Sequence, residues 1–317
     1  MRIVFLGTGD FAVPALRALR AAGHDVVAVV SQPDRPAGRG RAVRPTPVRA
    51  AAEELGLRHV PTDDVNALPA AELWSRAEIG VVAAFGQKLG PPVLNALPRG
   101  CINLHGSLLP RYRGAAPIQW AILNGEAVTG VTVFQLNERW DAGAIWSQRA
   151  TPIGDTETAD ELHERLALLG AELLVETLPA IAAGTLPPVA QDPRQATRAP
   201  KLTKADGTVD FAQPAPRVVR RIHGLWSWPA AACVLVTRGG RRERLLLARA
   251  AVAAAGTPPD PARPPGTLSD DLTVQTAAGR VRLLEVQPAG KKLMPFEAFA
   301  RGRSLAAGDR LMPASAE

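Results

Sequence analysis

Short, uninterrupted apolar runs alternate with stretches of helical spacing through the first two-thirds of this 317-residue chain. Three such runs, each bounded by turn residues, are Ile3–Leu6, Val26–Val30 and Ile79–Phe85. Between them, Pro14–Ala22 and Val48–Leu55 carry the spacing of amphipathic helices. Strands of a parallel sheet are buried on both faces and therefore read as continuous apolar runs. This order predicts an α/β domain with a Rossmann-like, doubly wound parallel sheet, whose site lies at the carboxyl ends of its strands.

Two further apolar segments and one long helix extend the predicted domain. Cys101–Leu104 and Gly130–Gln135 are predicted strands, and Ala159–Ala183 has the spacing of a long helix. Thr156 and Thr158 are the candidate caps at its start, because a threonine hydroxyl can accept from the first free backbone N–H groups.

The regular pattern stops at Leu186–Ala205, where prolines interrupt it, and shorter strand-like segments follow. Short strands separated by Gly/Pro-rich joints predict a small barrel. The predicted division is 1–188 for the first domain, 189–206 for a linker and 207–317 for the second domain. A short helix is predicted at Val218–His223 in the second domain. The predicted strands are Val209–Phe211, Ala231–Thr237, Arg244–Val252, Leu272–Thr276 and Val281–Val286.

The net charge of +7 falls in the last third of the chain. Residues 207–317 hold 16 Lys and Arg against 9 Asp and Glu, whereas residues 1–206 hold 21 of each. A basic module beside a neutral one favours a polyanionic partner, and nucleic acid is preferred to a membrane because no basic amphipathic helix is evident. A solvated, arginine-rich surface would give the same count.

Cysteine and histidine usage indicates a cytoplasmic protein without a metal. Cys101 and Cys233 lie far apart without metal-type spacing, which is typical of buried thiols in a reducing compartment. The five histidines are equally scattered. We expect no signal peptide, because Met1–Gly7 begins directly as a strand, and no membrane span. We also expect a monomer with no obligate protein partner.

The segment Gly7-Thr8-Gly9 follows a strand and opens a helix, which matches a loose dinucleotide fingerprint. The second predicted strand ends at Ser31-Gln32, however, and provides no acid for a ribose hydroxyl. The glycines need only form a tight turn, so we predict that no nicotinamide dinucleotide binds.

Asn103, His105 and Asp141 are the candidate catalytic residues. Asn103 and His105 end one predicted strand, and Asp141 follows the next, so we expect all three at the ends of neighbouring strands. An amide and an imidazolium can stabilise an oxyanion, and a carboxylate can orient the imidazole and hold it charged. This set suits acyl-type transfer to an acceptor that brings its own amine. Each residue alone is also typical of a cap or a turn.

The stretch INLHGSLLPRYRGAAPIQ, Ile102–Gln119, closely resembles the signature of the methionyl-tRNA formyltransferases. The wider folate-dependent formyltransferase family shares its Asn, His, Leu-Pro and later Asp, and the likeness extends over nearly the whole chain. The resemblance implies catalytic roles for Asn103, His105 and Asp141, and an OB-like barrel as the second domain.

The resemblance also implies a site for the co-substrate 10-formyltetrahydrofolate. The segment Phe85–Leu89 would help to form the pterin pocket, together with Ser107–Pro110 and the loop around Asp141. The predicted folate-binding residues are Phe85, Gly86, Leu89, Ser107, Leu108, Leu109, Pro110 and Gly143.

A basic loop and two lysines are the predicted contacts to tRNA. The loop from Arg35 to Arg49 holds five arginines and no acid, and it resembles the insertion by which this family engages the acceptor end of initiator tRNA. A solvated loop has the same composition. The predicted tRNA-binding residues are Arg35, Arg39, Arg41, Arg44, Lys291 and Lys292, with Arg39 where the family relies on an arginine.

One stretch departs from the family's pattern. Around the catalytic aspartate the family commonly has Gly-Leu-Asp-Thr-Gly-Asp, whereas this chain has Arg139-Trp140-Asp141-Ala142-Gly143-Ala144. Asp141 and Gly143 are retained, so the predicted chemistry stands. The second acid is missing at Ala144, and Arg139 and Trp140 are bulky, so the details of the folate loop do not follow from the resemblance.

The predicted function is formylation of the α-amino group of methionine on initiator methionyl-tRNA, with 10-formyltetrahydrofolate as the donor. The alternatives are a sugar-nucleotide N-formyltransferase, a purine-pathway formyltransferase and a catalytically silent tRNA-binding relative. The Arg35–Arg49 loop and the basic second domain argue against the first, and chain length argues against the second. The intact Asn103, His105 and Asp141 argue against the third.

Overall fold

The computed structural model describes residues 1–37, 42–69, 73–254 and 263–314, which form two compact units. The first unit comprises Met1–Pro117, Thr129–Thr151 and His163–Ala199. The second unit comprises Ile118–Val128, Pro152–Leu162 and Pro200–Glu317. Two stretches from the first two-thirds of the chain thus belong to the second unit. The predicted domain extents 1–188 and 207–317 stay predictions about the linear chain.

A seven-stranded sheet forms the centre of the first unit. Its strands are β1 Arg2–Gly7, β2 Asp25–Ser31, β5 His59–Pro61, β6 Ile79–Ala83, β7 Cys101–His105, β9 Val128–Gln135 and β10 Ile145–Pro152. They lie in the order β10-β9-β7-β6-β1-β2-β5. The pairs from β5 through β2, β1 and β6 to β7 are parallel, whereas β9 is antiparallel to β7. The predicted Rossmann-like α/β fold is therefore confirmed.

The helices begin where side-chain caps and prolines favour them. The α-helices are α1 Val13–Ala21, α2 Pro47–Glu54, α3 Pro91–Leu94, α4 Pro117–Asn124, α5 Ala159–Ala183, α6 Ala215–Leu225 and α7 Phe296–Arg303. The described residues also form 3-10 helices at Asp10–Ala12, Val65–Ala67, Pro193–Gln195 and Lys204–Gly207. Thr46 accepts from the backbone N–H of Arg49 at 3.2 Å and precedes Pro47, the first residue of α2. Thr158 and Glu161 form a reciprocal capping box at the start of α5, which confirms one of the two predicted caps.

Helix α5 is long and apolar enough to cross a membrane by length and composition, the one such helix among the described residues. Half of its most apolar window is buried inside the protein. Leu166 and Leu174 are fully buried, and Gly170 lies against the side chain of Leu104 in β7. These contacts are those of a helix that packs on a sheet.

The second unit is built on an antiparallel sheet that nearly closes into a barrel. Its strands are β12 Ala231–Val236, β13 Arg242–Val252, β14 Val274–Gln275, β15 Arg280–Pro288, β16 Met294–Pro295 and β17 Arg310–Pro313. Their order is β14-β15-β13-β12-β17, with β16 paired to β15. Thr267 bridges to Arg310 in β17, and Leu268 bridges to Val274 in β14, so this short segment joins the two outer strands. The predicted OB-like barrel is confirmed.

The barrel encloses its own hydrophobic core. Helix α6 contributes Val218 and Ile222, and α7 contributes Phe296 and Phe299. The sequence did not predict α7 or β17, although the i, i+3 spacing of Phe296 and Phe299 is helical.

The predicted strand Val209–Phe211 is wrong. Only Thr208 forms a bridge, to Ala232. Val209 and Phe211 are buried and alternate with exposed Asp210, so the pattern was read correctly as one buried face. The Asp210 carboxylate accepts from Ala212 N at 2.9 Å, and this turn ends the segment before a ladder can form.

The two ends of the basic loop pair as a two-stranded antiparallel sheet. Strand β3, Arg35–Ala37, pairs antiparallel with β4, Ala42–Arg44. Arg35 and Arg44 are direct cross-strand partners, and both are exposed. The loop is therefore more regular than its proline and glycine content predicts.

Candidate active site

Strand β7 places Asn103 and His105 on one face of the sheet, because side chains two residues apart in a strand point the same way. His105 is opposite Thr132 of β9, and Asn103 is opposite Phe134. Asn103 is half-buried, and its side-chain amide makes no hydrogen bond to any described residue. The amide is thus available to a ligand.

The imidazole of His105 is buried and held by a backbone carbonyl. Its Nε2 lies 2.9 Å from the carbonyl oxygen of Tyr112. Because a carbonyl can only accept, Nε2 must carry a hydrogen. Tyr112 reaches this position with a φ of +61°, in the left-handed region that a bulky residue rarely adopts. The other nitrogen, Nδ1, is the one left for chemistry.

Asp141 lies beside that free nitrogen. Its Oδ2 is 3.9 Å from His105 Nδ1 and accepts a hydrogen bond from the backbone N–H of Gly114 at 2.8 Å. The two side chains are 7% and 11% exposed, so water screens their interaction weakly. The distance is that of an ion pair and not of a hydrogen bond, so the Tyr112 carbonyl, and not the carboxylate, fixes the ring.

The structure brings Asp141 to His105 by a route that the sequence did not predict. Strand β9 is antiparallel to β7, so Gln135 at its end lies opposite Ile102, near the start of β7. Asp141 was expected at the end of a strand next to β7, but it does not project from such a strand end. The connection 136–144 returns toward His105, and Asp141 adopts a φ of +48° there.

Two residues of the predicted linker support this site: Gln191 holds the connection 136–144, and Thr197 holds the backbone of Tyr112. The side-chain amide of Gln191 donates to the carbonyl oxygens of Asp141 and Gly143, at 2.9 and 2.7 Å. Thr197 Oγ1 accepts from the backbone N–H of Tyr112 at 2.8 Å. Sequence reasoning missed both residues, since neither lies in a periodic segment. The 189–206 linker is therefore part of the site's support and not a plain connector.

A buried network shapes the loop that follows β7. Thr132 Oγ1 donates to Ser107 O at 2.6 Å and accepts from Leu109 N at 3.1 Å. The side chain of Gln148 donates to Leu109 O at 2.8 Å. Ser107 Oγ donates to Arg111 O at 2.7 Å. With the polar groups of this loop so engaged, it presents a fixed surface beside His105.

The predicted folate-binding residues divide by exposure. Phe85 and Leu89 follow β6 and are packed into a hydrophobic core, whereas Leu108 and Pro110 are partly exposed. Gly143 is buried so closely against β9 that a Cβ there would overlap the carbonyl oxygen of Gln135. Leu109 and Ser107 are buried in the network described above, and Gly86 is exposed beside Phe85.

The predicted tRNA-binding residues that the structure describes are all exposed. Arg35 lies in β3 and Arg44 in β4, and Lys291 and Lys292 lie in the turn after β15. Arg39 and Arg41 lie outside the described residues. In the Asp141 connection, the unusual Trp140 is 63% exposed.

The cysteines do not provide a nucleophile. Both are buried, as predicted, and burial raises the pKa of the Cys101 thiol to about 12. Burial raises the pKa of Cys233 to about 12 as well. Among the described residues no three His, Cys, Asp or Glu side chains are grouped to hold a metal ion.

Two family models match the chain. The model described as formyl transferase covers residues 1–178, and the model described as formyl transferase, C-terminal domain, covers residues 201–304. Together they include every candidate catalytic residue and all strands of the barrel except β17.

Curated relatives of full length decide the family. A methionyl-tRNA formyltransferase from Heliobacterium modesticaldum is 45% identical over 322 residues, covering 98% of this chain and 99% of that protein. Another from Acidiphilium cryptum is 45% identical over 315 residues, covering 98% and 100%. The chain belongs to the methionyl-tRNA formyltransferase family. The resemblance noted at Ile102–Gln119 is thereby confirmed, and the chain is a one-carbon transferase.

Among solved structures, an N-formyltransferase from Helicobacter canadensis, in complex with folinic acid and dTDP-3-aminofucose, has a TM-score of 0.65. It is 14% identical, and the match covers 90% of this chain and 98% of that chain. At this identity the likeness shows the fold alone. The sugar-nucleotide alternative is the more distant one.

Proposed function

We propose that the protein transfers the formyl group of 10-formyltetrahydrofolate to the α-amino group of methionine on initiator methionyl-tRNA, in the cytoplasm and as a monomer. The observation that carries this proposal is a buried imidazole, His105, whose Nδ1 lies 3.9 Å from Asp141. Asn103 lies on the same face of β7, and its side-chain amide makes no hydrogen bond to a described residue. This arrangement lies in a chain whose full-length relatives bear the name of that activity.

The catalytic roles follow from the donors and acceptors around His105. The neutral amine of the aminoacyl group attacks the formyl carbon, and a C–N bond forms while the carbonyl oxygen becomes an oxyanion. The Asn103 amide and an Nδ1–H of doubly protonated His105 donate to that oxyanion. Because Nε2 is already committed to the Tyr112 carbonyl, Nδ1 is the ring position that can serve. The bond from carbon to N10 of the folate then breaks, and the proton lost by the amine ends on N10.

Asp141 supplies a fixed negative charge beside the ring. Its Oδ2 lies 3.9 Å from Nδ1, so the carboxylate faces the ring nitrogen without a direct hydrogen bond to it. The Gly114 N–H holds the carboxylate at 2.8 Å, so the charge does not have to reorganise during the reaction.

The co-substrate would lie against the loop after β7. We propose that Ser107, Leu108, Leu109 and Pro110 form one wall, which the Thr132 network makes rigid. Four more residues would complete the pocket: Phe85, Gly86, Leu89 and Gly143. The buried ring of Phe85 and the methyl groups of Leu89 would lie behind its wall. Neither a metal nor a nicotinamide dinucleotide is needed for this chemistry.

The basic residues would bind the tRNA backbone. Exposed arginines and lysines position nucleic acid through phosphate contacts. We propose that Arg35, Arg44, Lys291 and Lys292 make such contacts, together with Arg39 and Arg41. The excess of positive charge in residues 207–317 supports this assignment.

The test is transfer of labelled formyl from 10-formyltetrahydrofolate with three acceptors in parallel. These are methionine-charged initiator tRNA, free methionine and a UDP-amino sugar. We expect only the charged tRNA to be labelled. Labelling of the amino sugar would overturn the acceptor while leaving the chemistry of the site. No labelling at all would favour a catalytically silent tRNA-binding protein.

A further inference from the structure

The segment from Val189 to Ala199, here called the strap, lies between the regions that the two family models match. It makes ordered contacts with the first unit, to which it belongs. Val189 and Ile145 exchange two backbone hydrogen bonds of 2.8 Å. At its other end, strand β11, Arg198–Ala199, pairs in parallel with β8, Arg113–Gly114. The strap is thus attached at both ends to segments that flank the candidate active site.

Gln191 lies between these attachments and connects the Asp141 connection to β8. Its Nε2 donates to Asp141 O at 2.9 Å and to Gly143 O at 2.7 Å. Its Oε1 accepts from Arg113 Nε at 3.1 Å and Nη2 at 2.6 Å. A guanidinium can only donate and the two carbonyls can only accept, so the orientation of the amide is fixed by its partners.

These contacts close a ring through the catalytic carboxylate. The main chain of Asp141 is held by Gln191, Gln191 is held by Arg113, and the next residue, Gly114, donates its N–H to Asp141 Oδ2 at 2.8 Å. One residue is therefore fixed at both its backbone and its side chain. Gly114 needs to be a glycine, because a Cβ there would lie 2.5 Å from Ala199 O.

A ring of this kind is needed because Asp141 has an unfavourable backbone. Its φ of +48° is one that a non-glycine residue holds only when its surroundings impose it. The connection also has to return from the end of β9 to reach His105. Without the two hydrogen bonds from Gln191, the carbonyls of Asp141 and Gly143 lose their partner, and the carboxylate is free to move away from Nδ1.

We propose that Gln191, itself oriented by Arg113, is a positioning residue for formyl transfer that holds the main chain of Asp141 and so keeps its carboxylate beside His105. The inference rests on the proposed function, since it concerns the same reaction. Gln191 does not need to touch either substrate to serve in this way.

The first test is Gln191→Glu, which keeps the size and the acceptor toward Arg113 but replaces the amide donor by an oxygen facing two carbonyls. A small displacement of a reacting group can cost about 10²-fold, so we expect kcat to fall about 10- to 100-fold with little change in either KM. Gln195→Glu is the matched control, because Gln195 is exposed on the same segment and contacts only Asp192 there. It should leave kcat unchanged. Gln191→Ala serves as a second variant if the glutamate variant folds poorly by circular dichroism.

The deciding test combines Gln191→Glu with Asp141→Asn in a double-mutant cycle. If Gln191 acts through the Asp141 carboxylate, its loss should cost at most about threefold once that carboxylate is gone. An equal loss in both backgrounds would overturn the inference and leave only a structural role, as would full activity of both Gln191 variants. Failure of the wild-type protein to formylate charged tRNA would instead overturn the proposed function, so the two failures are distinct.

Discussion

Among the described residues, each unit contains one deeply buried histidine, and the two are hydrogen-bonded in opposite senses. His105 in the first unit donates from Nε2 to the Tyr112 carbonyl, and its Nδ1 faces a carboxylate. His223 in the second unit accepts at Nε2 from the backbone N–H of Ala250 at 3.1 Å. The Nε2 of His105 therefore carries a hydrogen, whereas the Nε2 of His223 is the ring's acceptor.

We propose His105 as the catalytic histidine, and the comparison shows that burial alone does not distinguish it from His223. Burial lowers the pKa of His223 to about 4, so at neutral pH this ring is an uncharged part of the barrel core. His105 is buried almost as deeply, yet its Nδ1 faces the carboxylate of Asp141, and Asn103 lies on the same face of its strand. The groups around each ring, and not its burial, distinguish the proposed catalytic histidine from the histidine of the barrel core.

The largest effect that we predict from this comparison is that of Asp141→Asn. This change keeps an oxygen for the Gly114 N–H but removes the charge beside His105. We expect kcat for formylation of charged initiator tRNA to fall about 10²- to 10³-fold, because the imidazolium loses its partner. Steady-state kinetics measure the loss, with thermal unfolding as the check that the protein is folded. Asp192→Asn is the control, because Asp192 carries a carboxylate that pairs with the exposed Arg194 and not with His105.

The next effect concerns stability in the second unit. The unfolded chain protonates His223 below about pH 6.5, whereas the folded protein does so only below about pH 4. The unfolded state therefore binds more protons in this window, and stability is lost as the pH falls through it. The difference corresponds to about 3 kcal/mol. Urea unfolding across the window, compared between wild type and His223→Gln, measures it.

The comparison between variant and wild type is needed because His24 and His59 also have lowered pKa values, chiefly through burial. The new side chain in His223→Gln keeps an oxygen that can accept from the Ala250 N–H but has no group that titrates in this window. The variant should therefore lose less stability on acidification than wild type. An identical loss in the two proteins would show that His223 is not the group responsible.

The smallest effect that we predict is on tRNA binding. Lys291 and Lys292 are exposed in the turn after β15 and are proposed phosphate contacts. Replacing both by alanine should raise the KM for charged tRNA several-fold and reduce the slope of log KM against log salt by about two, one for each phosphate that is no longer neutralised. The KM for 10-formyltetrahydrofolate should not change. Arg17→Ala with Arg20→Ala on α1 removes the same charge elsewhere, and an equal effect there would contradict specific contacts.

The sheet was well predicted because a strand that is buried on both faces has a continuous run of apolar residues in the sequence. The apolar runs of β1, β2 and β6 and the helical spacing of α5 were sufficient for the α/β fold. Alternation was less informative in the second unit. Val209 and Phe211 are buried as the pattern indicates, but the turn at Asp210 leaves them outside any strand.

The candidate site was only partly predictable. Asn103, His105 and Asp141 were proposed from their type and spacing. The orientation of His105, however, depends on the carbonyl of Tyr112, whose direction is set by a φ of +61°. A backbone carbonyl has no residue type that would reveal it. Gln191 was missed for a related reason, because a single glutamine among prolines has no periodic neighbours that would mark it as part of a site.

The measurement that tests the central claim most directly is the same substitution at the two buried histidines. His105→Gln and His223→Gln remove one imidazole each and keep side-chain groups that can donate or accept. We predict that at neutral pH His105→Gln loses about 10²- to 10³-fold in formyl transfer to charged initiator tRNA, whereas His223→Gln retains wild-type turnover. Near-normal turnover in folded His105→Gln would contradict the account, as would an equal loss in both variants.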